Sequence, residues 1–210
     1  MKLYDFEPAA NAQRVQVFIR EKDIEIPTEQ LNVREGRQFS EPFTSMNPFH
    51  CVPFLELDDG TVISEAISIC RYLEEIYPNP ALFGITAETR AIIDTWLRRF
   101  ELDGFIPMLH AVRNHLENFK GRVVPGTRTD LPQSPKMVTR GIEMGKMFLE
   151  RVEPHMADKE FVAGSRFSVA DITAFFTVKL TKPLEIDISS SYPAIAAWMD
   201  RMSKRKAFNI

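Results

Sequence analysis

The chain has 210 residues, 44% hydrophobic and 26% charged, enough to bury a sizeable core as one large domain or two small ones. A net charge of −3 offers no basic field to nucleic acid, and no apolar run approaches the roughly 20 residues that cross a bilayer, so neither nucleic acid nor a membrane is an expected partner. The start turns polar at Glu7 before any signal-peptide core forms, and Cys51 and Cys70 are too few for a disulfide framework, so a cytoplasmic protein with free thiols is expected.

Leu3, Tyr4 and Phe6 read as a first strand. A loop over Pro8–Asn11 leads into a helix with Val15, Val17, Phe18 and Ile19 inward, and Asn11 has the chemistry of its N-cap. A second strand is predicted over Glu29–Val33, followed by a polar loop or short helix to Thr44. Phe54, Leu55 and Leu57 then form a strand, Asp59-Gly60 is a dipeptide that type I′ turns favour, and Thr61-Val62-Ile63 returns. Ser64 is a good N-cap for the helix carrying Ile67, Ile69, Cys70, Leu73 and Ile76, and Glu65 suits the positive end of its dipole. The order over residues 1–77 is βαβαββα.

Tyr77-Pro78-Asn79-Pro80 ends that helix, and residues 78–86 read as a linker. From residue 87 to 210 every strong signal is helical. Glu88–Arg113 is one long helix, bent at Gly104 or Pro107, and Phe119–Pro135 is a long loop of the kind that covers a pocket. Met137–Ala157 is amphipathic with Met144, Met147, Phe148 and Val152 toward the core, the methionines reading as packing. Ser168-x-x-Asp171 is a capping box with Phe167 and Ile172 as its hydrophobic staple, so Asp171 is a folding residue and not a catalytic one. Tyr192-Pro193 opens a last helix with Ile195, Trp198 and Met202 inward.

Several chemistries find no support in the residues. There is no glycine-rich phosphate loop, and His50, His110, His115 and His155 lack metal-ligand spacing, so no metal is expected. What does suggest a ligand is the hairpin. Pro53 directly before a strand leaves loop backbone groups outside the sheet, where an extended peptide can pair with them. The amides of Glu65 and Ala66 open a helix that favours a carboxylate. A plain hairpin with a loop proline is the alternative.

Asn47-Pro48-x-x-x-Val52-Pro53-x-Leu55, then Asp59-Gly60, then Glu65 opening an apolar helix, together with the capping box, resembles the bacterial branch of the cytosolic glutathione S-transferases. The resemblance spans essentially the whole chain. It implies a thioredoxin-like glutathione-binding domain over residues 1–77 and an all-helical domain over 87–210. Glutathione is the implied co-substrate: Val52 would pair with its cysteinyl backbone, Pro53 would be cis, and Glu65 with the Ala66 amide would hold the γ-glutamyl end. His50 would meet the glycyl carboxylate, in part replacing a residue that Cys51 cannot substitute. The hydrophobic electrophile would lie against the helix around Leu109, His110 and Arg113. A homodimer and a detoxifying conjugation are also implied.

The family's catalytic hydroxyl or thiol is missing. Ala9, Ala10, Asn11 and Ala12 occupy that window, and Asn11 is the side chain there able to donate a hydrogen bond to sulfur. Ala66 replaces a family serine, so weaker glutathione binding is expected. Two alternatives follow from these departures: a non-catalytic binding module on the same fold, or a glutathione-dependent isomerase or reductase with Cys51 as its thiol.

Overall fold

The computed structural model describes residues 1–209, in two compact units: residues 1–80 with 125–127, and residues 81–124 with 128–209. The first holds β1 (Lys2–Asp5), α1 (Ala10–Glu21), β2 (Thr28–Gln30), α2 (Phe43–Met46), β3 (Phe54–Glu56), β4 (Val62–Ser64) and α3 (Ala66–Ile76). The strand order is β2-β1-β3-β4, with β1 parallel to β2 and antiparallel to β3, which pairs antiparallel with β4. This is a thioredoxin-like unit.

Alternation along β1 buries Leu3 and Tyr4 on opposite faces. Tyr4 stacks on Phe54 at 4.7 Å and meets Phe43 edge-on, in a cluster with Leu31. On the helical side, α1 buries Val15 and Phe18 while α3 buries Ile69 and Leu73. Buried Lys22, just past α1, donates to the Tyr77 and Pro80 carbonyls at 2.6 and 2.8 Å and pairs with Glu74 at 2.6 Å. It thus satisfies the carbonyl end of α3 with a cation, as the helix dipole favours.

Three local expectations fail in this unit. The N-cap of α1 is Ala9, and Asn11 sits one residue inside the helix. Ser64 ends β4, so the N-cap of α3 is Glu65. The hairpin is not type I′, which needs two residues at positive φ. Only Gly60 has one, +84°, after a turn closed by its N–H on the Leu57 carbonyl at 3.0 Å.

The second unit holds α4 (Ala87–Arg99), α5 (Ile106–His115), α6 (Pro135–Met156), α7 (Val169–Lys179), the short α8 (Ile188–Ser191) and α9 (Pro193–Ser203). Among the described residues no helix is long and apolar enough to cross a membrane. The expected bend between α4 and α5 is a π-helical turn over Phe100–Phe105. Pro107 offers no N–H to the preceding turn, which is one way the α-helical register is lost here. Gly104 is fixed by packing, because a Cβ there would stand 2.7 Å from the Phe148 ring.

α6 corrects a further expectation, since Met144 and Met147 are exposed. Its inward stripe is Gly141, Gly145, Phe148, Leu149 and Val152. The two glycines let α6 approach Pro107, Met108 and Ala111 of α5 too closely for side chains between them. The methionines are thereby turned outward.

The capping box is formed, and it does more than cap. Asp171 is fully buried and accepts from Ser168 N and Oγ at 3.0 and 3.1 Å, Val162 N at 2.8 Å and Trp198 Nε1 at 3.3 Å. One carboxylate therefore joins α7, the loop before it and α9. Burial pushes its pKa up to about 6 against the pull of these donors.

Replacing Asp171 by Ala strands at least two buried donors and removes the cap. It is expected to cost about 3 kcal/mol or more in denaturant unfolding. A carboxyl whose pKa is higher folded than unfolded holds its proton more tightly in the folded state. Its contribution is therefore fullest below about pH 4 and declines as pH rises to about 6. Asp171→Asn should be less stable throughout and lack that declining limb.

Candidate active site

The register of the sheet brings the candidate residues of the first unit to one end. Tyr4 lies opposite Phe54, and Phe54 opposite Ser64. The next residues of the three segments at this end are Asp5, Pro53 and Glu65, then Phe6, Val52 and Ala66. α1 follows β1 at this end and α3 follows β4. Two helix N-termini thus share the end of the sheet where β1 and β4 finish, a placement that favours an anionic ligand.

Asn11 is half-buried in the first turn of α1, and its Oδ1 accepts from Arg14 Nη1 at 3.0 Å. A guanidinium carries donors only, so the amide orientation is settled and Nδ2 faces away from Arg14. Arg14 is itself buried. No side chain caps α1, and the N–H groups of Ala10, Asn11 and Ala12 have no acceptor among the described residues. Buried Asp5 fixes the preceding loop: Oδ1 accepts from Phe6 N at 2.8 Å and Oδ2 from Gln16 Nε2 at 2.7 Å. Burial raises its pKa.

The segment before β3 is braced from within. Asn47, 2% exposed, donates Nδ2 to the Cys51 carbonyl at 2.9 Å and accepts from Phe49 N at 3.2 Å. His50 has φ +51° and its Nδ1 lies 3.1 Å from the Gln38 carbonyl. That oxygen only accepts, so Nδ1 carries the proton and Nε2 is left for a ligand. The Val52-Pro53 bond is cis, and neither the N–H nor the C=O of Val52 is hydrogen-bonded within the described residues. Just past β4, Glu65 is exposed at φ +72°, and its carboxylate makes no hydrogen bond or ion pair among the described residues.

His50 and Glu65 are two of only four non-glycine residues at positive φ among the described residues. Such backbone costs about 1–3 kcal/mol and concentrates where a ligand is held. Sequence reasoning missed three contributors to this end: Asn47, Arg14 and Arg34, whose guanidinium stands 5.6 Å from the Phe6 ring centre. The Asn-Pro dipeptide was the available signal for the first. The thiols differ in character. Cys51 is half-buried, whereas Cys70 is buried and its pKa is pushed up to about 12 by burial, which leaves it inert.

The remaining candidates belong to the helical unit. His110 is exposed on α5, one turn after the exposed Ile106. Arg113 is engaged in a way that the sequence did not suggest. Its Nε donates to the Val123 carbonyl at 3.2 Å, its Nη2 to the Arg122 carbonyl, and the guanidinium stands 4.8 Å from the Phe119 ring centre. It clamps the loop between α5 and α6. Among the described residues no group of three or more His, Cys, Asp or Glu is arranged to hold a metal ion.

A thioredoxin-like unit whose Val52 leaves its backbone groups unpaired just before β3, followed by a helical unit, fits a class of glutathione-handling proteins, and comparison with known proteins agrees. The glutathione S-transferase N-terminal domain family matches residues 10–76 and the C-terminal domain family residues 134–206. A solved glutathione S-transferase from Vibrio parahaemolyticus is 33% identical with a TM-score of 0.85, over 100% of this chain and 96% of that one. Glutathione S-transferase 2 of Saccharomyces cerevisiae is 26% identical over 98% of this chain and 86% of its own. Maleylacetoacetate isomerase of Rattus norvegicus is 27% identical over 99% and 90%. The chain belongs to the glutathione S-transferase family.

Asn47→Ala removes both bonds that brace residues 49–51. The expected result is a loss of about 1–3 kcal/mol in unfolding, with a raised KM for glutathione and little change in kcat at saturation. Equal loss in kcat and KM-corrected rate would show that Asn47 does not act through binding.

Proposed function

We propose that this transferase joins the sulfur of glutathione to a hydrophobic electrophile, with residues 1–77 binding glutathione, 78–86 connecting and 87–210 presenting the electrophile. The observation that carries the reading is the open backbone of Val52 set between two helix N-termini. The N–H and C=O of Val52 pair with the cysteinyl residue as a strand would. Glu65 holds the α-amino group, and the Ala66 N–H, at the positive end of α3, holds the adjacent carboxylate. His50, as the imidazolium with Nδ1–H on the Gln38 carbonyl, donates its Nε2–H to the glycyl carboxylate.

Asn11 Nδ2, oriented by Arg14, donates to the sulfur and lowers the thiol pKa, aided by the uncapped first turn of α1. The thiolate lone pair then forms the carbon–sulfur bond while the leaving group departs with its electron pair, or the carbanion formed by addition takes a proton from water. Ile106 and His110 offer the electrophile an apolar and a polar contact on one face of α5. A second reading, glutathione-dependent isomerisation, is favoured by the rat relative's name; there the thiolate adds to the substrate and leaves again.

Calorimetric titration with glutathione, repeated for Asn11→Ala, tests the first reading. The variant should bind within about threefold of the wild type, while the bound thiol's pKa, read from thiolate absorbance, rises by about one unit. Activity at pH 6.5 should fall about tenfold. No binding at millimolar glutathione would leave a binding module with a lost site. A cis-enone acid isomerised without net conjugation would favour the second reading, and loss of activity in Cys51→Ser would assign the chemistry to that thiol.

The protein acts in the cytoplasm as a homodimer, detoxifying electrophiles. Support for the dimer is apolar surface on each unit that water disfavours: Phe49, 73% exposed, and Met137, Met144 and Met147 along α6. Sedimentation should give a dimer at micromolar concentration and a monomer for Phe49→Asp.

A further inference from the structure

The loop between α5 and α6 is anchored at both ends within the helical unit. Besides the Arg113 clamp, Gln133 Nε2 donates to the Arg113 and Leu116 carbonyls at 3.0 and 2.8 Å, and Ser134 N donates to Asn114 Oδ1 at 2.9 Å. Its tip, residues 125–127, nevertheless groups with the first unit. Gly126 stands there at φ +67°. A Cβ on it would lie 1.9 Å from the Phe49 carbonyl oxygen and 2.9 Å from Cys51 Sγ. Real atoms do not approach so closely, so only glycine allows this backbone to rest on residues 49–51.

Those residues lead directly into Val52 and are also held by Asn47 and by the His50 bond to Gln38. We propose that Gly126 is a positioning residue of the glutathione site: its backbone packs on the Phe49 carbonyl and the Cys51 thiol and fixes the pose in which Val52 offers its open N–H and C=O. The proposal rests on glutathione pairing with Val52. It also accounts for Cys51 in physical terms, as a packing thiol under the loop tip. The chain reaches the peptide-binding edge from a segment more than seventy residues distant in sequence, at a point where any side chain would displace it.

The test compares Gly126→Ala with Gly121→Ala. Gly121 lies in the same loop at φ +70°, but the nearest atom to its added Cβ is the Thr129 carbonyl oxygen at 3.7 Å. Both substitutions strain the backbone alike, and only the first collides with residues 49–51. Gly126→Ala should raise KM for glutathione about tenfold or more with kcat at saturation within about twofold, while Gly121→Ala leaves KM unchanged.

A second readout needs no glutathione. Cys70 is buried and silent, so reaction with an aromatic disulfide reagent reports Cys51 alone. Gly126→Ala should change that rate about fivefold or more, and Gly121→Ala should not. Equal KM and equal thiol rates in the two variants overturn the proposal. A wild type that binds no glutathione overturns the transferase reading instead, and the thiol rates still decide on Gly126. Should Gly126→Ala not fold, hydrogen exchange of the wild type decides. Added glutathione should protect residues 125–127 together with 49–52 and leave 119–122 unchanged, and protection confined to 49–52 overturns the proposal.

Discussion

Between Asn47 and Phe54, hydrogen bonds brace residues 47–51, and Val52 is the residue of the proposed glutathione contact. Asn47 ties the Phe49 amide and the Cys51 carbonyl, and His50 ties itself to Gln38. Val52 keeps both of its backbone groups open. A buried polar backbone group is almost always paired, and an exposed one is paired by water, so on the proposed reading glutathione would replace water on the open pair of Val52. Rigidity matters here because a flexible edge would lose on ordering much of what it gained on binding. The brace, the hairpin register and, on our proposal, the loop tip at Gly126 all bear on Val52.

Each unit also holds a buried ionisable side chain that ties several segments together. In the first, Lys22 closes α3 by meeting two carbonyls and Glu74. In the second, Asp171 gathers four donors from three segments. Neither ion is a cheap source of stability, because desolvating a charge offsets most of what its partners return. Both are better understood as fixing which packing is adopted: removing either leaves groups with no partner in any nearby arrangement. Of the four non-glycine residues at positive φ among the described residues, His50 and Glu65 flank the hairpin, while Asp23 directly follows Lys22.

The parts legible in the sequence were those written in local chemistry. The hairpin, the helices with one apolar stripe and the Ser168-x-x-Asp171 capping box all follow from residue types at fixed spacing, and the fold follows from their order. What escaped depended on tertiary neighbours. Asn11 has the chemistry of a cap, yet Arg14 takes its oxygen and Ala9 occupies the cap position. Met144 and Met147 are apolar at helical spacing, yet two glycines on α6 move the buried stripe around the helix. Arg113 has the charge of a site residue and is spent on loop carbonyls. Gly126 carries no chemical group at all, so nothing in its local sequence signals a role.

The missing hydroxyl is a smaller chemical loss than it first looks. A hydrogen bond to a charged acceptor is worth about 1.5–3 kcal/mol, which lowers a thiol pKa by about one to two units. A helix N-terminus adds about 0.3–1 kcal/mol in the same sense. From an ordinary cysteine value of about 8.5, the proposed contacts would bring the sulfur near neutrality, where about half of it is thiolate. An amide serves as well as a hydroxyl for this purpose, since both donate one N–H or O–H to sulfur. The difference lies in constancy: an amide has no ionisation of its own in the working range and needs its orientation fixed from outside. Arg14, buried three residues further along α1 and with only donors to offer, fixes the orientation of the Asn11 amide.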